Sequence, residues 1–272
     1  MVPLDLLQYV TNEKPKYYVD VYFKTFKKPN KNMKKIESEK KSTFQHFRYN
    51  EKYYYYIRTG GTSHCPYERL LVMNKKKTNK FRLYVDENIF RKPWPLDYPA
   101  INKIFRTMAS ENNGLLVHAS GYVLNKKGLL FVGQSGAGKS TVAKLLIKKN
   151  IKNLLNDERI YIFKKKDKFY MCSTPWNGEV VVKNKKICPI HSIFFLKKNK
   201  EKFYIKKLNK LEILNRLLNQ LFIDYHDKKI ISCEFDTVDK MLNKLKFYDF
   251  HFKREDSIVD YLEKFISQSN LP

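Results

Sequence analysis

Apolar and polar residues alternate over short runs in the first part of the chain, whereas longer stretches of helical spacing enter in the second. Runs at 17–26, 53–58 and 81–85 are rich in Tyr, Phe and Val, side chains that suit a pleated, half-buried surface, and they predict strands. Between them, Lys27-Lys28-Pro29-Asn30, Gly60-Gly61 and residues 74–77 are turn or loop signals. Residues 27–43 carry many charges and little apolar periodicity, which predicts an exposed loop. Pro93, Pro95 and Pro99 punctuate a connection into a helix over 98–110. The pattern gives a β-rich N-terminal module over residues 1–110.

From Gly114 the pattern changes. GLLVHASGYVL and GLLFVG are apolar runs separated by Asn125-Lys126-Lys127-Gly128, as expected of adjacent strands joined by a tight turn. GQSGAGKSTVAKLLIKKN then opens from a glycine loop into a helix, with Val142, Leu145 and Leu146 at helical spacing. In IKNLLNDERIYIF a strand over 151–155 ends at an acidic pair and leads to a hairpin about 164–168. Further on the pattern predicts a buried strand at 193–196, amphipathic helices at 208–222 and 236–245, a strand at 247–252 and a final helix from Asp256. No repeat recurs at solenoid spacing. Residues 111–272 form an α/β unit, so the chain of 272 residues is one large domain or two small ones.

Composition changes this picture little. Hydrophobic residues at 43% are enough for a core, so the net charge of +27 does not imply disorder. That charge invites a nucleic-acid partner. However, 45 of the 54 basic residues are Lys and 9 are Arg, and the lysines fall in scattered pairs and triplets beside Asn. Bidentate recognition of phosphate and base edges favours Arg, so a solvated Lys-rich surface is the expectation and specific nucleic-acid binding is not. No run is long enough to span a membrane, and the first residues lack a basic stretch followed by a long apolar one, so a cytoplasmic protein is expected. Cys65, Cys172, Cys188 and Cys233 have no zinc-type spacing and read as reduced thiols.

The chemistry concentrates in one place. Six of the nine glycines, at 114, 121, 128, 133, 136 and 138, lie in a span of 25 residues. Gly133-Gln134-Ser135-Gly136-Ala137-Gly138-Lys139-Ser140 matches the phosphate-loop pattern GxxxxGK[ST] in full, with Thr141 following. Backbone amides wrap phosphate oxygens only where side chains do not block them, Lys139 can reach the terminal phosphates and the Ser140 hydroxyl can bind Mg²⁺. The loop lies between a strand and a helix, the context such a site needs, which points to ATP with Mg²⁺. Neither an LSGGQ-like signature nor an NKxD-like guanine specifier is present, the nearest string being Asn184-Lys185-Lys186-Ile187. Transport ATPases and switch GTPases are therefore disfavoured.

Asp157-Glu158 follows the loop lysine by about 18 residues. Phosphoryl transfer needs a metal to neutralise charge and a group that orients or deprotonates the acceptor, and adjacent carboxylates can divide those roles. Arg159 suits either a phosphate or a neighbouring carboxylate. His118, 15 positions before Gly133, reads alone as a core histidine. Trp176, between Pro175 and Gly178, either lines a substrate cleft or packs in a turn, and Glu179 could approach the metal. The acidic residues Asp224, Asp227, Glu234 and Asp236 read as surface.

Together, His118, GYVLNKKGLLFVGQSGAGKST and LLNDERI resemble the core of the HPr serine kinase family, over about residues 114–200. The resemblance implies a mixed-sheet P-loop fold of the phosphoenolpyruvate-carboxykinase type. By it, Asp157 is the general base, Glu158 a magnesium or second-carboxylate position beside Ser140, and His118 a partner near the base. The HPr-specific enzymes carry a Glu-x-Arg-Gly-x-Gly segment where this chain has Ser173 to Glu179. That stretch, with the following Cys188-Pro189-Ile190, resembles instead the HPr-kinase-like proteins of peptide tailoring, including lasso-peptide precursor kinases. Carboxykinase proper is disfavoured, since its metal-binding Lys/His pair and oxaloacetate-binding arginines have no counterpart. The expectation is an ATP- and Mg²⁺-dependent kinase acting on a hydroxyl, Ser of a peptide or protein first, with a small-metabolite kinase and a nucleotide-binding regulatory module as alternatives. Homo-oligomerisation is left open.

Overall fold

The computed structural model describes residues 14–37, 44–59, 67–74, 79–86, 96, 99–182, 184–223 and 228–268. They divide into two compact units: one runs to Glu111 and takes in residues 228–231, and the other comprises Asn112–Ile223 and the described residues from Ser232 onward. The turn expected at Gly60-Gly61, Pro93, Pro95, Cys65, Asp224 and Asp227 lie outside the described residues.

The first unit contains a six-stranded mixed sheet, β1 (Tyr18–Phe23), β2 (Lys34–Glu37), β3 (Phe44–Tyr49), β4 (Lys52–Thr59), β5 (Tyr67–Asn74) and β6 (Lys80–Val85), in the order β1-β6-β5-β4-β3-β2. β1 is parallel to β6, and the other pairings are antiparallel. Alternation produces a buried face of Tyr53, Tyr55, Ile57, Leu71, Met73, Phe81, Leu83 and Val85, onto which helix α1 (Ala100–Glu111) sets Ala100 and Ile104. The Lys103 ammonium lies 4.3 Å from the centre of the Tyr55 ring, a cation–π contact that keeps a cation beside an aromatic core. The loop expected over 27–43 contains β2. Its four residues, Lys-Lys-Ile-Glu, pair with β3 across a bulge, a short charged edge strand whose single apolar residue leaves no periodicity to read.

The second unit is built on strands β7 (Gly114–Leu124), β8 (Lys127–Val132), β9 (Leu154–Asn156), β10 (Arg159–Lys165), β11 (Lys168–Ser173), β12 (Ile187–Lys198), β13 (Tyr204–Lys207) and β14 (Lys246–Phe252), ordered β11-β10-β7-β8-β12-β14-β13 with β9 on β7. The β7–β8 turn places Asn125 and Lys126 at φ +50 and +63, as a two-residue hairpin turn of this twist requires. β12 is long enough to pair twice: Ile187–Pro189 face β11 and residues from Ile190 run parallel to β8. β7, β8, β12, β11 and β10 thereby close on themselves. β8, β12 and β14 are mutually parallel, so their carboxyl ends share one edge.

Both sheet faces are apolar because helices cover both. On one, Phe131, Phe194, Phe250 and Phe252 meet Val142, Leu145 and Leu146 of helix α2 (Lys139–Asn150) and Ile258, Leu262 and Ile266 of α5 (Ile258–Gln268). On the other, Leu130, Val132, Ile193 and Phe195 meet Ile213 and Leu217 of α3 (Lys210–Leu218) and Val238 and Met241 of α4 (Lys228–Lys244). Asn209 and Glu212 form a reciprocal capping box that starts α3. The fully buried Tyr122 hydroxyl donates to the carbonyls of Leu146 and Asn150 at 3.1 and 3.3 Å, which ties the end of α2 to β7.

Three expectations are corrected. The strand over 151–155 is a 3₁₀ turn, Ile151–Asn153, followed by the short β9. The helix expected from 236 begins at Lys228. Glu234, read as surface, is buried on α4, whereas Asp236 is exposed.

Candidate active site

Gly133 to Gly138 leave the carboxyl end of β8 and enter α2. Gly136 and Gly138 have φ of +80 and +108, and a Cβ on Gly138 would stand 2.5 Å from Cζ of Phe252. Only glycine fits there, because the loop lies directly on the aromatic core. Gly138 caps α2 without a side-chain hydrogen bond, and the first turn holds no acidic residue. The positive end of the helix is thus left for an anion. Lys139 curls back over the loop, its ammonium donating to the carbonyls of Gly133 and Gln134 at 2.7 and 3.3 Å. Burial lowers its pKa, while Glu158 and then Asp157 act to raise it. Glu179 receives the Lys144 ammonium at 2.6 Å, and this bond is the main cause of its lowered pKa, with Ser140 a lesser one.

The acidic pair is shaped by Asn156, a residue that no sequence motif singles out. Its side-chain oxygen accepts the amides of Glu158 and Arg159 at 2.7 and 3.1 Å, and its amide donates to the carbonyls of Thr174, at 3.2 Å, and Trp176. All four of its bonding positions are used, so the turn after β9 is fixed and its two carboxylates point different ways. Asp157 is 1% exposed and accepts the amides of Gly178 and Val180 at 2.9 and 3.0 Å, one on each oxygen. The fit is close enough that a Cβ on Gly178 would lie 2.7 Å from Oδ1. Glu158 is a third exposed, 3.7 Å from His118 Nε2 and 3.8 Å from Arg159 Nε. His118 donates its backbone N–H to the Gln220 carbonyl at 2.8 Å. Burial, then Lys139, hold its pKa below the ordinary value against the opposing pull of Glu158.

Arg159 is held between aromatic rings, 5.1 Å from Trp176 and 4.6 Å from Phe222. Trp176 packs against this guanidinium, and its carbonyl is spent on Asn156. The string Asn184-Lys185-Lys186-Ile187 serves the fold, because the Asn184 amide donates to the carbonyls of Lys152 and Leu154 at 3.0 and 2.8 Å. The thiols of Cys172 and Cys188 are both pushed up to about 11, chiefly by burial, which leaves them unreactive. Among the described residues, no three His, Cys, Asp or Glu side chains gather into a metal cage, and no helix is long and apolar enough to cross a membrane.

A second charged group, unmarked in the sequence, borders the glycine loop. Asp249 of β14 is buried and receives both Lys197 of β12, at 2.8 Å, and Arg216 of α3. Burial acts to raise its pKa, but the bonds from Lys197 and Arg216 outweigh it and hold the carboxyl below its ordinary value.

No family model matches this chain, and no curated protein matches it in sequence. Among 19 matching solved chains is the HPr(Ser) kinase/phosphatase from Coxiella burnetii. That similarity is distant, at 12% identity and a TM-score of 0.33, over 57% of this chain and 95% of the other.

Proposed function

We propose that the chain is an ATP- and Mg²⁺-dependent kinase that moves the γ-phosphate to a hydroxyl, Ser of a peptide or protein first. The observation that carries this is one edge of the second unit, where a glycine loop and an uncapped helix end meet Lys139, with Glu158 and His118 beside them. The donor set fits a nucleotide: amides and Lys139 for phosphates, and Ser140 with Glu179 as oxygen ligands for the metal, which leaves Glu158 free of it. Bound magnesium would supply neutralisation of the phosphate charge.

The base is assigned to Glu158 in place of Asp157. Asp157 is sealed and bonded on both oxygens, whereas Glu158 is accessible and next to His118, whose pKa burial lowers. In the reaction, the acceptor oxygen attacks the γ-phosphorus as its proton passes to the Glu158 carboxylate. The bond from that phosphorus to the β–γ bridging oxygen breaks, and ADP leaves. Lys139 and Arg159 offset the negative charge, and Asp157 positions the 174–180 segment whose Glu179 meets Ser140. Incubation with γ-labelled ATP and Ser-containing peptides tests this: the expected result is acceptor-dependent label transfer that is lost in Glu158→Gln. Nucleotide binding without transfer to any peptide or hydroxylated metabolite would leave a regulatory module in place of a kinase.

A further inference from the structure

Beside the glycine loop the second unit has a cleft of ≈ 310 Å³, lined by Gly133, Gln134, Phe195, Lys197, Arg216 and Gln220 among others. Two cations here share one carboxylate. Asp249 is 5% exposed, but Lys197 and Arg216 are 44% and 33% exposed, so the anchor is buried while the charged heads lead outward. Both cations are therefore within reach of a ligand in the cleft. Arg216 also lies 5.8 Å from the Phe195 ring, which with Asp249 fixes its guanidinium. Lys197 spends one of its three donors on Asp249, leaving the pair oriented with a net positive charge.

The position says which end of a substrate this charge meets. The carboxyl ends of β8 and β12 bring Gly133 and Lys197 to the same sheet edge. Gln220 also lines the cleft, and its carbonyl accepts the backbone N–H of His118, the neighbour of Glu158. The cleft thus borders the glycine loop and is linked through Gln220 and His118 to the carboxylate assigned to the acceptor hydroxyl.

We propose that Lys197 and Arg216 form an acceptor-anion subsite, which selects substrates carrying a carboxylate or phosphate close to the hydroxyl that is phosphorylated. This rests on the kinase reading above, and it narrows the acceptor to acidic chemistry. The anion comes either from an acidic side chain flanking Ser in a peptide or from the carboxylate of a small hydroxy acid.

The test uses two acceptor pairs: Ser peptides in which each flanking position in turn is Asp or Asn, and L-serine against L-serinamide. Transfer from γ-labelled ATP and calorimetric binding to protein loaded with a non-hydrolysable ATP analogue are both measured, in wild type, Arg216→Gln and Lys197→Gln. Wild type should prefer the anionic member of one pair at least about tenfold, the size of one charge-assisted hydrogen bond. Each variant should bring that ratio close to one while analogue affinity stays within about twofold. The pair that shows the preference identifies the source of the anion. Equal treatment of both members in wild type, or a ratio unchanged in both variants, overturns the subsite. So does a tenfold loss of analogue affinity with the ratio intact, which would make the cleft a nucleotide site. Because calorimetry reads the preference without turnover, anion-selective binding with no transfer would sink the kinase reading and keep the subsite.

Discussion

Replacing Asp157 with Asn tests whether its carboxylate is structural, as proposed, or catalytic. Asp157 accepts two backbone amides in a site closed to solvent. Asparagine keeps one acceptor and turns an NH₂ towards the other amide, so one charge-assisted bond worth about 1.5–3 kcal/mol is lost and one buried donor is stranded at about 1–3 kcal/mol. The sum, about 2.5–6 kcal/mol, is a large share of a typical folding free energy. With a urea slope of about 1–3 kcal/mol per M, the unfolding midpoint should drop by about 1 M or more. Hydrogen exchange gives the local reading: protection at the amides of Gly178 and Val180 should fall by about 100-fold for a loss near 3 kcal/mol. Gly178→Ala attacks the same contact from the other side, since its Cβ would stand 2.7 Å from Oδ1, and should loosen the same two amides.

Glu158→Gln is the counterpart. The side chain is a third exposed and its contacts to His118 and Arg159 are 3.7 and 3.8 Å, so its stability cost should stay below about 1 kcal/mol. Acceptor-dependent transfer should fall by about 10²–10⁴. The assignment is refuted if Asp157→Asn unfolds at the wild-type urea midpoint and loses transfer, because that is how a solvent-facing base would behave.

The remaining predictions use the same protein preparations. Lys139→Ala should abolish turnover and weaken nucleotide binding; normal turnover would remove the glycine loop from the mechanism. Gly138→Ala forces a Cβ onto φ +108 and against Phe252, and melting should show a loss of about 1–3 kcal/mol. His118 binds its proton less readily folded than unfolded, so the unfolded state gains stability as pH falls through the ordinary histidine value, until the folded pKa is passed. The difference in urea midpoint between pH 7.5 and 5 should therefore shrink in His118→Gln; an unchanged difference would show that His118 is not the group responsible.

What can be read from the sequence depends on whether neighbours along the chain are also neighbours in space. The β7–β8 hairpin, the glycine loop and α2 are contiguous, and their signals are local: positive φ at Asn125 and Lys126, a full loop pattern, helical spacing at Val142, Leu145 and Leu146. β2 escapes notice because a four-residue edge strand with one apolar side chain has no period. Lys197, Arg216 and Asp249 sit on three elements separated by long stretches of chain, and only the parallel pairing of β12 with β14 and the return of α3 gather them. In a chain with 54 basic residues, two more cations carry no mark.

The proposed exchange of roles between Asp157 and Glu158 has a different origin. The residues are adjacent, so strand alternation would place them on opposite sides, but alternation cannot say which side faces the loop. That is decided by Asn156, whose oxygen takes the amides of both Glu158 and Arg159 and so bends the chain out of β9 into a turn. The bend directs the first carboxylate inward to the amides of Gly178 and Val180, and leaves the second beside His118. An Asn before an acidic pair carries this information only when a backbone segment is available to satisfy the inward carboxylate. Here that segment is 21 to 23 residues downstream. The Asn156→Ala variant should accordingly disturb both carboxylates at once, raising exchange at Gly178 and Val180 and altering the pH profile of transfer together. Loss of one without the other would mean that the turn does not couple them.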